Sequence, residues 1–146
     1  NHKAKIIKAQ LSGEQSNSNI ISSGETSYIS IDISAYADID DLGVGIMIRD
    51  RFGQDIYGIN SHLMGNRIKL KNTQNYQTTF KIAMNISPGK YTITIALHSQ
   101  DNHLTDCYHW IDNMIKFQVA GIIGDSFAGI CRLPTQIEFK QVTNNA

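Results

Sequence analysis

No charge of either sign predominates in this chain: 13 lysines and arginines are matched by 13 aspartates and glutamates. Without a surplus positive field to gather phosphate backbones or anionic lipid, nucleic acid is not an expected partner. No apolar run approaches the ~20 residues that cross a bilayer as a helix, so a soluble domain is expected. Cysteine is scarce, with Cys107 and Cys131 alone. A chain of 146 residues can build one two-layer core without covalent staples. It is therefore read as one domain over residues 1–146 with reduced thiols, a single Cys107 to Cys131 bridge being the alternative. Catalytic signatures are missing too. There is no Gly-x-Ser-x-Gly elbow and no phosphate-binding Gly-x-x-x-x-Gly-Lys-Ser/Thr loop, so neither serine-hydrolase nor ATPase chemistry is expected in this segment, and no cofactor is called for. The opening Asn1-His2-Lys3-Ala4 has neither an initiating methionine nor a charged-then-apolar leader, and the chain is read as a piece of a longer protein. Asn85-Ile86-Ser87 fits a glycosylation acceptor, but it falls where a strand runs into a turn and is read as accidental.

What the sequence does contain is alternation with period two. In Tyr28 to Tyr36 the residues Ile29, Ile31, Ile33 and Ala35 face one way, and Ser30, Asp32 and Ser34 the other. In Thr79 to Ile86 the inward set is Phe80, Ile82, Met84 and Ile86. In Tyr91 to Ser99 it is Tyr91, Ile93, Ile95 and Leu97, against Thr92, Thr94, Ala96 and His98. Ser87-Pro88-Gly89-Lys90 reads as the tight turn of a hairpin between the last two segments. Further strands are expected at Ala4 to Leu11, Gly43 to Phe52, Asp55 to Asn60, Met114 to Val119 and Phe127 to Leu133, with a long polar loop over Ser12 to Ser27. About eight strands with little helix predict an all-β, antiparallel, immunoglobulin-like sandwich. Tyr108 to Met114 is open between a helical turn and a strand. Ala120 to Ser126, with Gly121 and Gly124, reads as a hinge that lets the last strand fold back or reach a neighbour, strand exchange being a low-cost route to a dimer.

Two places hold side chains suited to a ligand. The polar run His98 to Trp110 contains His98, Asp101, His103, Asp106, Cys107 and His109, all possible metal ligands. Their spacing matches no closed Cys/His motif, so no metal site is assigned. The lone tryptophan, Trp110, beside His109, Tyr108 and Asp101, suits the stacking of a sugar ring whose hydroxyls find donors and acceptors nearby. Burial of Trp110 between the sheets is the competing reading. The second place is a sheet face. If Val44, Ile46 and Ile48 point inward, then Gly45, Met47 and Arg49 point outward beside Thr94, Ala96 and His98. Small residues there leave a shallow trough, rimmed by Arg49, His98 and Tyr57, fit for an extended, neutral, hydroxyl-rich ligand. The candidate carbohydrate-binding residues are thus Met47, Arg49, Tyr57, Asn60, Thr94, His98, Asp101, His109 and Trp110. Scattered carboxylates are read as solvated surface charge.

The segment Gly43 to Asn60, GVGIMIRDRFGQDIYGIN, resembles the C-terminal domain of Wzt, the nucleotide-binding subunit of ABC transporters that export O-antigen polysaccharide. The resemblance rests on Val44 to Asp50, on the turn Gly53-Gln54-Asp55 and on Tyr57-Gly58-Ile59-Asn60. It continues through Pro88-Gly89-Lys90-Tyr91, His109-Trp110, Ile115 to Val119 and Gly129 to Leu133. It implies an immunoglobulin-like sandwich that dimerises by exchanging its C-terminal strand and is joined to a separate ATPase domain. The implied partners are a homodimer mate, the transporter's membrane subunit and a lipid-diphosphate-linked O-antigen polysaccharide, recognised near a terminally modified non-reducing end. The implied location is the cytoplasm, at the inner face of the inner membrane. Sugar-contacting residues vary in that family and are not carried over. A secreted carbohydrate-binding or adhesion module with the same sandwich is the alternative, decided by what precedes the segment.

Overall fold

Residues 2–99 and 107–143 are described by the computed structural model of the chain. The smaller of its two sheets grows around β3 (Thr26–Ala35), whose alternating isoleucines place Ile29, Ile31, Ile33 and Ala35 wholly in the core. β1 (Ala4–Gly13) and β7 (Asn75–Ala83) flank it, both antiparallel. The larger sheet has the order β2 (Ile20–Ser23), β9 (Cys107–Ile122), β8 (Gly89–Ser99), β4 (Ile39–Asp50) and β5 (Asp55–Asn60), with the short β6 (Ile68–Leu70) also on β4. Val44 and Ile48 from β4 and Ile93, Ile95 and Leu97 from β8 meet the β3 isoleucines in one continuous core. Each such side chain contributes ~1.5–3 kcal/mol through removal from water. The expected all-β sandwich is therefore the fold, with nine strands among the described residues.

Several details go beyond or against the sequence expectation. The polar stretch Ser12 to Ser27 contains β2, which pairs with β9 in parallel while every other strand pair is antiparallel. What holds this stretch is Glu25, only 3% exposed, whose carboxylate accepts the N–H groups of Gln15 (3.0 Å), Ser16 (2.8 Å) and Ser22 (3.0 Å). Gly13 leaves the room this needs, since a Cβ there would collide with the Glu25 carboxylate. The Pro88-Gly89 turn does not close a hairpin, because β7 and β8 belong to different sheets; it carries the chain across the sandwich, and the Tyr91 hydroxyl donates to the Ser87 carbonyl at 2.5 Å. Period-two patterning marks both strands but says nothing about which sheet each joins.

Tyr108 to Met114 is strand, within β9. Phe127 to Leu133, by contrast, forms no strand: a single bridge joins Cys131 to Ile86, supported by Ser87 N–H to the Ile130 carbonyl (3.0 Å) and Arg132 N–H to the Asn85 carbonyl (2.8 Å). β9 runs through the first part of the expected hinge to Ile122, and Gly121 within its end and Gly124 just past it, both at φ 79°, let the chain double back. From Pro134 to Thr143 the chain is exposed, with Ile137 94% and Phe139 93% accessible. Cys107 and Cys131 are both exposed free thiols. No helix of the described residues is long and apolar enough to cross a membrane.

Candidate functional site

Cross-strand register decides which side chains share a face, and on the outer face of the larger sheet it assembles a row of small ones. β4 and β8 pair Gly43 with His98, Gly45 with Ala96 and Met47 with Thr94. β5 adds Asn60 opposite Gly45 and Gly58 opposite Met47, and β9 adds Trp110 opposite Ala96. The result is a trough of about 380 Å³ floored by Gly45, Gly58 and Ala96 and bordered by Met47, Asn60, Leu63, His98 and Trp110. Glycine is what allows the neighbours to lie flat: the His98 ring covers Gly43, where a Cβ would collide with it, and the Met47 methyl would stand 2.6 Å from a Cβ at Gly58.

One wall is a polar network set up by a β-bulge. Ile93 pairs with Ile115 and Ile95 with Ile111, so Asp112, Asn113 and Met114 together face Thr94. Asn113 takes φ 52°, a left-handed conformation that asparagine tolerates better than branched residues. A bulge re-aims the side chains it carries. Here Thr92 donates to Asn113 Oδ1 at 2.9 Å, and Asp112 Oδ1 accepts from the Trp110 indole N–H at 3.0 Å and from Thr94 at 3.3 Å. Arg49 lies between two carboxylates, its Nε donating to Asp55 Oδ1 at 2.8 Å and its Nη1 sitting 3.6 Å from Asp112 Oδ1 and 2.9 Å from Thr94 Oγ1. Trp110, 55% exposed, is thus held by its one donor with its ring open to solvent. Its burial between the sheets, the competing sequence reading, is ruled out.

Six of the nine sequence candidates, Met47, Arg49, Asn60, Thr94, His98 and Trp110, share this face. Thr94 plays a different part from the one expected. It is 2% exposed, and its hydroxyl donates to Asp112 while accepting from Arg49 and from Asn113 N–H (3.2 Å), which exhausts its capacity. Its hydroxyl is therefore committed to the wall itself. Asn60 likewise uses its oxygen on Leu63 N–H at 2.8 Å, so its amide NH2 is the group left to donate.

Tyr57 and His109 are not at the trough. Tyr57 pairs with Ile48 and His109 with Leu97, both inward-facing partners, so both point to the other side of the sheet. His109 Nδ1 accepts the Ile6 N–H at 2.9 Å, which requires the neutral ring; burial first, and then the charge of Lys5, lowers its pKa. Strand alternation alone forbids adjacent His109 and Trp110 from sharing a surface. Asp101, like His103 and Asp106, lies outside the described residues. The metal candidates His98 and His109 are on opposite faces, and among the described residues no three His, Cys, Asp or Glu groups are placed to hold an ion.

Asp55, Asp112 and Asn113 were not singled out from the sequence. Asp55 lies opposite Arg49 across the hairpin whose turn is fixed by Asp50 Oδ1 accepting from Phe52 and Gln54 N–H, each at 2.9 Å, and by Gly53 at φ 80°. That hairpin was legible and would have paired Asp55 with Arg49. The bulge at Asp112 had no periodic signal to announce it.

No match is found among curated proteins. Among solved structures, the chain is similar to the crystal structure of the C-terminal domain of Wzt, with a TM-score of 0.86 at 16% identity over 96% of this chain and 86% of that one. A CARDB domain from Pyrococcus furiosus, solved in complex with di-metal ions, aligns with a TM-score of 0.48 at 11% identity over 82% of this chain and 90% of that one. The first of these likenesses concerns the fold. The sequence pattern of the family described as the Wzt C-terminal domain matches residues 1–133, nearly the whole chain. By that match, the chain belongs to the Wzt C-terminal domain family.

Proposed function

We propose that this domain binds polysaccharide without catalysis, gripping a terminally modified, non-reducing segment of lipid-linked O-antigen in the outer-face trough and so coupling the finished chain to export by an ABC transporter. The observation that carries this is the Trp110 ring, exposed yet fixed through its indole N–H to Asp112, beside a floor of glycine and alanine. A sugar ring presents an apolar face that stacks on such a surface and hydroxyls that need donors and acceptors at its edge. Asn60, Arg49 and the side of Asp112, 64% exposed, supply these. Membership of the Wzt C-terminal domain family supports the export setting: a domain joined to an ATPase, beside a membrane subunit, at the cytoplasmic face of the inner membrane.

The same reading makes the domain a homodimer joined by exchange of its C-terminal segment. It is supported by Ile137 and Phe139, large apolar side chains that bury nothing within their own chain. Two sites per dimer raise avidity where single hydrogen bonds to sugar hydroxyls net only ~0.5–1.5 kcal/mol each.

Calorimetric titration of the chain with delipidated O-polysaccharide tests the reading. Trp110→Ala should weaken binding roughly tenfold, since covering an aromatic ring is worth ~1.5–3 kcal/mol. Unchanged affinity in that variant, with the fold intact by circular dichroism, would sink the assignment of the trough.

A further inference from the structure

The outer face that holds the trough does not stop there. Thr92 and Lys90 continue the outward row of β8 beyond Thr94, and β9 sets Lys116 opposite Thr92 and Gln118 opposite Lys90. With Arg51, the residue just past β4, these residues border a second depression of about 370 Å³. Lys90, Lys116 and Arg51 are exposed, and none of them has an ion-pair partner among the described residues. Asp50, the carboxylate that lines the adjoining hollow with Arg51 and Lys90, is occupied with the turn N–H groups of Phe52 and Gln54.

Charge is therefore distributed unevenly along one continuous face. At the trough, Arg49 is outnumbered by Asp55 and Asp112. At the far end, three cations, one of them Arg51 over the Phe52 ring, outnumber the single carboxylate of Asp50, although the whole chain is neutral. At a strand rise of ~3.3 Å per residue, Thr92 is ~13 Å and Lys90 ~20 Å from the Ala96 row on which Trp110 stands. A wholly neutral glycan laid along this face would take the water from three cations and return only hydroxyl acceptors, with no opposite charge.

We propose that the ligand is an anionic glycan, carrying a phosphate ester or a uronate carboxylate on the stretch that reaches Arg51, Lys90 and Lys116. This rests on the trough being the glycan site. The charge asymmetry would also fix direction, because the anionic end is repelled from Asp55 and Asp112 and drawn to the opposite pole.

The test uses delipidated O-polysaccharide from the bacterium that encodes this chain, which removes the lipid diphosphate as a source of anions. One portion is treated with hydrogen fluoride to remove phosphate esters, another with carbodiimide and borohydride to reduce carboxylates. One of the two treatments should weaken binding about tenfold, as loss of a charge-assisted contact implies, and the treatment that does so names the anion. K90E/K116E should lose the same factor with native polymer and nothing with the treated one. Equal binding of native and treated polymers, still dependent on Trp110, overturns the anionic assignment and leaves the glycan reading standing. A polymer found by analysis to hold neither phosphate nor uronate overturns it as well. Binding that ignores Trp110, or no binding of any polymer, defeats the glycan reading and this inference with it.

Discussion

A Cβ added at Gly45 would lie 3.6 Å from Asn60 Cβ and 3.7 Å from His98 Nε2, ordinary contact distances. Gly45→Ala should therefore fold normally, with an unchanged or slightly higher melting temperature, while polysaccharide affinity falls because the methyl rises from the trough floor; thermal melts beside titration calorimetry separate the two effects. Glu25 presents the opposite case, a residue remote from the trough on which the fold depends. Burial pushes its carboxyl up, but the hydrogen bonds from Ser16, Ser22 and Gln15 together outweigh this and leave its pKa below the usual value. A carboxyl with a depressed folded pKa stabilises above its unfolded pKa, about 4.3, and that contribution disappears as pH falls through the lower folded value. Glu25→Gln should cost about 2 kcal/mol near neutrality, the worth of hydrogen bonds to a charged group. Urea unfolding of the two proteins should converge as the medium is acidified below that range.

At the scale of elements, the bulge in β9 and the tail beyond Leu133 make separate demands. Asn113→Gly should cost under ~1 kcal/mol, since it loses the exposed Thr92 hydrogen bond but keeps the left-handed backbone, whereas Asn113→Val, forced into φ 52°, should cost a further ~1–2 kcal/mol. Denaturant midpoints would show the difference. On the proposed strand exchange, ending the chain at Pro134 should give a monomer in light scattering and lower the melting temperature only by the lost association, since Ile137 and Phe139 bury nothing in their own chain. What could be read from sequence follows the same division. The isoleucine alternation of β3 and of β8 and the Gly53 turn identified core strands and one hairpin, because burial of a single face imposes period two. The trough followed directly from the outward partners of those strands. Alternation is blind to sheet membership and to parallel pairing, so the Pro88-Gly89 crossing and β2 escaped it. A bulge breaks the period outright, which is why Asp112 went unnoticed. His109 was misplaced for a simpler reason: a polar cluster in the sequence was treated as a cluster in space, although consecutive strand residues point apart.

For the molecule as a whole, the larger sheet keeps its two faces chemically separate. Ile46, Ile48, Ile93 and Leu97 fill the inner side, and the residues interleaved with them, Gly45, Met47, Thr94 and His98, line the outer one. The trough owes its depth to side chains that are absent, in the way a mould is defined by its hollow. Filling or emptying it one methyl at a time recasts what the surface accepts without touching the packed interior on the reverse. Descendants of such a sheet can change what the outer face receives while inheriting the same core.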